Sequence, residues 1–170
     1  VTPSALDEID LEVVIVNADG SIAELCCNGL RCAMRWAWDR GVVEKMPVRA
    51  MTGAGVVPGV VGDDGCVTLH LPSPAFGPEA TGAIGLDGEP AQVEVGDEMI
   101  DLHLVSTGNP HAISFDSDLE HAVGQLTSLV SGHRVFPAGI NVHGASVVSR
   151  GRIDALPYER GVGRTQSCGS

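Results

Sequence analysis

Glycine and proline punctuate this chain so densely that long regular elements have few places to form. The 170 residues include 22 glycines and 10 prolines, and such residues break helices and end strands where they fall. Two stretches keep a helical period. From about residue 28 to 39, Leu30, Ala33, Met34, Ala37 and Trp38 recur at helical spacing, with Asn28 placed to cap the start and Gly41 to end it. From 119 to 130, Leu119, Val123, Leu126 and Val130 share a face, Asp118 suits the N-cap and Gly132 the stop.

Most of the remainder reads as short strands. Residues 12–17 are β-branched and expected to form a buried strand, closed by the turn Asn17-Ala18-Asp19-Gly20. Strands are predicted at 48–52, 56–61 and 66–71, then at 91–95, 99–105, 112–115, 145–149 and 152–158. Residues 72–90, rich in proline and glycine and without periodicity, read as a linker. Each half thus carries several strands and one clear helix. The expected class is α+β, with two small domains at residues 1–78 and 79–170.

Composition excludes several functions. A net charge of -12 argues against nucleic acid or an anionic membrane as partner, since both call for a basic face. The apolar and charged fractions, 44% and 19%, describe a globular chain. The longest aliphatic runs, such as 13–16, fall far short of a membrane span, and no secretory leader is visible. A cytoplasmic protein is expected. A start on Val1 and a stop at Cys168-Gly169-Ser170 also read as a piece of something longer.

The chemistry centres on five cysteines, an odd number that excludes a pure disulfide framework. Cys26 and Cys27 stand at a Gly/Asn turn that opens the first helix. The open N–H groups and dipole of a helix start stabilise anions, a thiolate included. Cys32 and Cys66 read instead as small buried hydrophobes. No metal site is expected, because metal spacing wants paired two-ligand clusters, whereas Cys168 stands alone and the six histidines are scattered. Cys168 repeats the first arrangement, following Glu159-Arg160-Gly161-Val162-Gly163 and a polar run. Asparagines occupy three turns, at Asn17, Asn109 and Asn141, where backbone needs are the ordinary reason and ligand amides the alternative. His111 and Glu159 are further candidates as thiol neighbours.

The combination resembles diaminopimelate epimerase, a family of cofactor-independent amino-acid racemases. The resemblance rests on Asn17-Ala18-Asp19-Gly20-Ser21, on Cys26-Cys27-Asn28-Gly29-Leu30-Arg31-Cys32 and on Gly108-Asn109-Pro110-His111. It continues through Phe136-Pro137, Asn141-Val142 and Glu159-Arg160-Gly161-Val162-Gly163 to Cys168-Gly169, in the family's order over nearly the whole chain. It implies two pseudo-symmetric α/β domains, each a curled, mostly antiparallel sheet around a central helix, with the active site between them and both domains incomplete here.

The resemblance also implies roles. Cys26 and Cys168 would be the catalytic pair. Backbone N–H groups of Cys27, Asn28, Gly169 and Ser170 would hold the substrate carboxylate. Asn17, Asn109, Asn141 and Arg160 would grip its distal end, with His111 and Glu159 as polar neighbours of the cysteines. The reaction implied is epimerisation of LL- to meso-diaminopimelate, for lysine and cell-wall precursor biosynthesis, without cofactor or metal. The partner implied is a small amino acid in a reducing cytosol, and members of the family often form homodimers. Two positions depart from the family pattern: Cys27, where glycine is usual, and Arg164, where glutamate is common. The family extends beyond both ends of this chain, so the 170 residues alone are expected to be inactive or nearly so. Alternatives are a two-cysteine racemase for another amino acid such as histidine, or a non-catalytic thiol-bearing binding or redox protein. Proline racemases resemble the chain less well, generally carrying His at position 28, and phenazine-pathway isomerases lack the cysteine pair.

Overall fold

The computed structural model describes residues 2–3, 8–166 and 168–169. It is a mixed α/β structure, mostly sheet, whose contacts divide into two units. The first takes the residues up to Ser73 together with Gly169, and the second is Pro74–Cys168.

The first unit contains β1 (Thr2–Pro3), β2 (Leu11–Glu12), β3 (Ile15–Val16), β4 (Ile22–Ala23), α1 (Cys27–Asp39), β5 (Val48–Thr52), β6 (Gly55–Val61) and β7 (Val67–Leu69). Its open sheet runs β1-β2-β5-β6-β7, antiparallel except for the parallel pair β2 and β5. The expected strand at 12–17 does not form as one element. β2 joins this sheet, whereas β3 pairs only with β4 in a separate hairpin. Val14 and Val16 are exposed. β-Branching marks extended backbone, but it does not say which sheet each half will join.

Helix α1 buries Leu30, Ala33, Met34 and Ala37 in a core with Val48, Ala50 and Val57. Gly59 allows β6 to come close, since a Cβ there would lie 2.3 Å from Met34 Sδ. Trp38, expected on the packed face, is instead 38% exposed. The helix starts one residue before Asn28, so Cys26, not Asn28, is the N-cap. At the other end Gly41, with φ +66°, turns the chain away as expected.

The second unit contains β8 (Ala75–Phe76), α2 (Pro78–Thr81), β9 (Ala91–Val95), β10 (Glu98–Ser106), β11 (Pro110–Phe115), α3 (Leu119–Val130), β12 (Asn141–Ser149), β13 (Arg152–Glu159) and β14 (Gly163–Arg164). Its open sheet runs β14-β13-β12-β11-β10-β8, with β9 also pairing β10. β11 and β12 are parallel, joined by α3 as the crossover, and the other pairs are antiparallel. Leu126, Leu129 and Val130 of α3 pack on Leu102, Leu104, Ala112 and Val142 of the strands.

The segment expected to be a linker belongs largely to this unit. Phe76 pairs with Val105, Pro78 starts the single turn of α2 and Gly82 ends it at φ +68°. Ala83 and Leu86 pack against the core. Proline and glycine here shape tight turns between short elements, not a solvated tether.

Asp118 caps α3 by accepting hydrogen bonds from the N–H groups of Glu120 and His121, both at 3.1 Å. Asp118→Ala should therefore cost about 1 kcal/mol. A lower urea midpoint for the second unit would show it, and an unchanged midpoint would mean the cap carries no stability. Among the described residues, no helix is long and apolar enough to cross a membrane.

Candidate functional site

The parallel pairing of β11 with β12 assembles the densest group of functional side chains in the second unit. Its register sets His111 opposite Asn141 and Ile113 opposite His143. Side chains alternate along a strand, so Ala112 and Val142 enter the core while His111, Asn141 and His143 share the other face. His111 and His143 are thus diagonal neighbours across two adjacent strands.

Their ring nitrogens meet: His111 Nδ1 lies 2.8 Å from His143 Nε2, and His111 Nε2 lies 3.0 Å from Asn109 Oδ1. The amide oxygen can only accept, so the proton of a neutral His111 belongs on Nε2. Its Nδ1 then accepts from His143 Nε2–H. One proton per ring satisfies the chain of bonds; a second proton on His111 would set two N–H groups against each other until the His143 proton moved to Nδ1. Burial, at 3% exposure, is the main reason the His111 pKa is pushed down to about 4, with His143 and the Arg160 charge adding to it. Burial lowers the pKa of His143 as well.

This depression has a sign in stability. An unfolded chain takes up the His111 proton below about 6.5, whereas the folded chain resists it to about 4. Acidification through that interval should favour unfolding, by up to about 3 kcal/mol from this group. In urea melts of the second unit, His111→Gln should flatten the loss between neutral pH and the lower limit. Equal pH slopes for both proteins would contradict the neutral pair.

Cys168 joins the histidines. One nitrogen from each of His111 and His143 and the Cys168 sulfur all lie within 4.8 Å of one another. Nearby, the Asn141 side chain is taken up by backbone: its Nδ2 donates to Pro110 O at 3.0 Å and its Oδ1 accepts from Arg160 N at 2.9 Å. The Arg160 guanidinium donates to Ala138 O at 2.9 Å. Glu159 accepts a hydrogen bond from the Thr165 hydroxyl. Arg164, the departure near Cys168, pairs with Glu120 of α3 at 2.7 Å.

In the first unit, Cys26 sits half-buried at the N-cap of α1 with extended backbone and no side-chain capping bond. The first bond of the helix is Leu30 N to Cys26 O at 2.9 Å, so the N–H groups of Cys27, Asn28 and Gly29 precede the intrahelical ladder. The Asn28 side chain accepts from Arg31. Asn17 serves its own turn, donating to Ser21 Oγ at 3.0 Å. A Cβ on Gly169 would come within 2.9 Å of Asn28 Oδ1 and 3.2 Å of the Cys27 Cβ. Ser170 lies outside the described residues.

The cysteines sort differently from the expectation. Cys27 is buried in the apolar core of its unit, with 2% exposure, and Cys32 and Cys66, expected to be buried, are exposed. Helical phase explains the first two: Cys27 lies on the Leu30/Met34/Ala37 face, and Cys32 lies with Asn28 and Trp36 on the opposite one. Cys66, just before β7, is exposed in step with Thr68 and His70, two and four residues on. None of the five is in a disulfide. The residue missed in the sequence is His143, because its link to His111 exists only through the strand register.

No family model matches the chain. Among curated relatives, a diaminopimelate epimerase of Cupriavidus metallidurans is 35% identical over 180 residues, covering 100% of this chain and 62% of its own length. One of Neisseria meningitidis is 36% identical over 179 residues, covering 98% and 61%. The chain thus spans about three fifths of the length of the curated relatives it matches. Among solved structures, a probable proline racemase of Agrobacterium radiobacter aligns with TM-score 0.67 at 19% identity, over 98% of this chain and 54% of its own. A hydroxyproline epimerase of Agrobacterium vitis aligns with TM-score 0.65 at 18% identity, over 97% and 54%. These structures support the same type of fold.

Proposed function

Because the chain is related along its whole length to the diaminopimelate epimerase family, we propose that it carries the catalytic groups of a cofactor-independent isomerase that interconverts LL- and meso-diaminopimelate. Cys26 and Cys168 are the two acid–base groups, each serving one face of the substrate Cα. One thiolate sulfur takes the α-proton, and the electron pair left on Cα spreads into the carboxylate. The opposite thiol then delivers its proton to the other face, and the centre inverts. The two sulfurs exchange protonation states, so the reverse reaction uses the same pair with roles swapped.

The carboxylate gains negative charge in the transition state and is held by backbone N–H groups of Cys27, Asn28, Gly169 and Ser170. Preorganised donors of this kind are usually the largest electrostatic contribution. The observation that carries the proposal is Cys26 at the N-cap of α1, directly before N–H groups that precede the helical ladder. Arg160 and Asn109 are assigned to the distal end of the substrate with Asn17. Asn141 acts there through the Arg160 backbone and the Pro110 carbonyl it holds. His111 and Glu159 set the polar surroundings of the thiols. The product would enter lysine and cell-wall precursor synthesis in the cytosol, where thiols stay reduced.

The test is deuterium wash-in at Cα of LL- and meso-diaminopimelate, followed by mass spectrometry. It is run on these 170 residues and on the full reading frame that encodes them. Exchange with both stereoisomers is expected from the full frame. Exchange with histidine or proline but not diaminopimelate would sink the substrate assignment, and no exchange with any of them would sink the enzyme.

A further inference from the structure

We propose that His111, His143 and Cys168 form a site for one Zn²⁺ or similar transition-metal ion, bound through the two facing ring nitrogens and the Cys168 sulfur. The donor set of two imidazoles and a thiolate suits a borderline-soft divalent ion. In a tetrahedral zinc site neighbouring donor atoms stand about 3.3–3.7 Å apart, and one nitrogen of each ring and the Cys168 sulfur already lie within 4.8 Å of one another. The facing nitrogens, at 2.8 Å, would part by about half an ångström and the rings would tilt, so that both lone pairs converge on the ion in place of the proton they share.

The surroundings fit as well. A ligating histidine ordinarily donates its second N–H to an oxygen that fixes the ring, and His111 Nε2–H has that partner in Asn109 Oδ1 at 3.0 Å. Both histidines stand on paired strands, not on loops, so the ring pair is preorganised. Three protein ligands leave a fourth position for water or a small anion.

Binding balances simply. The His143 proton moves from Nε2 to Nδ1, the Cys168 thiol releases its proton to solvent, and the metal takes the three lone pairs. One proton is released per ion. A sulfur held this way no longer accepts or delivers a proton, so the ion would silence the Cys168 thiol. The binding itself does not depend on the epimerase proposal.

Cobalt(II) titration of the purified chain tests it, because a thiolate ligand gives a charge-transfer band that oxygen and nitrogen ligands do not. One cobalt per chain with that band is expected, and Zn²⁺ should displace it. Cys168→Ser should abolish the band, while Cys32→Ser and Cys66→Ser leave it. Asn109→Ala should weaken binding about 10–100-fold, and His143→Gln at least as much, with circular dichroism confirming that each variant is folded. A band that survives Cys168→Ser, an affinity unchanged in a folded His143→Gln, or no cobalt bound would each overturn the site.

Discussion

Alanine at either Cys26 or Cys168 should abolish the interconversion of LL- and meso-diaminopimelate while leaving proton exchange on one side. Removing a positioned acid or base typically costs about 10²–10⁴ in rate, and inversion needs both groups in the same turnover. In Cys26→Ala the remaining thiolate still removes the α-proton from the face it serves and can return a deuteron to that same face. One stereoisomer should therefore exchange with retention and the other should be inert. Cys168→Ala should show the opposite preference. This reciprocal pattern separates two acid–base groups from a single one, because a one-base site would lose exchange with both isomers in one variant and with neither in the other. Little structural loss is expected at Cys26, whose side chain makes no capping bond to α1. If both variants invert the substrate at close to the original rate, the cysteine mechanism is wrong.

Gly139→Ala should destabilise the second unit by about 2–5 kcal/mol. Gly139 holds φ at +73°, and a Cβ built there would sit 2.2 Å from the Val130 carbonyl oxygen at the end of α3. The left-handed conformation alone costs a non-glycine residue roughly 1–2 kcal/mol. Overpacking adds about 1–3 kcal/mol or more, since backbone cannot swing aside as a side chain could. The neighbouring chain would move with it, because the Gly139 N–H is held by Phe136 O at 2.9 Å. Gly124 in the middle of α3 is the control. Nothing lies within 4 Å of a Cβ there, so Gly124→Ala should stabilise the helix by up to about 1 kcal/mol. Urea denaturation of both variants should give shifts of opposite sign; two shifts in the same direction would contradict the packing described.

Local signals carried the regular elements well. Residues 119–130 form α3 within its expected bounds because an apolar face and an Asp cap agree. Residues 48–52 and 91–95 form strands as expected because β-branched residues meet clear breaks. Failures occurred where the deciding contact is distant in sequence. Nothing local in residues 72–90 tells that Phe76 will pair with Val105, or in 12–17 that its halves will join different sheets. The Cys26 motif was readable as a helix start, with an error of one residue. The burial of Cys27 is also legible, since it lies at helical spacing from Leu30 and Met34. By contrast, the His111–His143 pair was invisible. Thirty-two positions separate the two rings, and a parallel pairing leaves no turn motif to announce it.

That parallel pairing makes side-chain identity a function of alignment. If β12 slid by one residue along β11, Val142 or Gly144 would take the place of His143, and an apolar group or none would face His111. Asn141 resists such a slide, because its amide engages the Pro110 carbonyl on one strand and the Arg160 N–H beyond the next. It behaves as a pin through three laminae. An insertion in residues 131–140 is therefore tolerable to the extent that this pin stays seated, since the chemistry at His111 is encoded as much in the phase of two strands as in the imidazole itself.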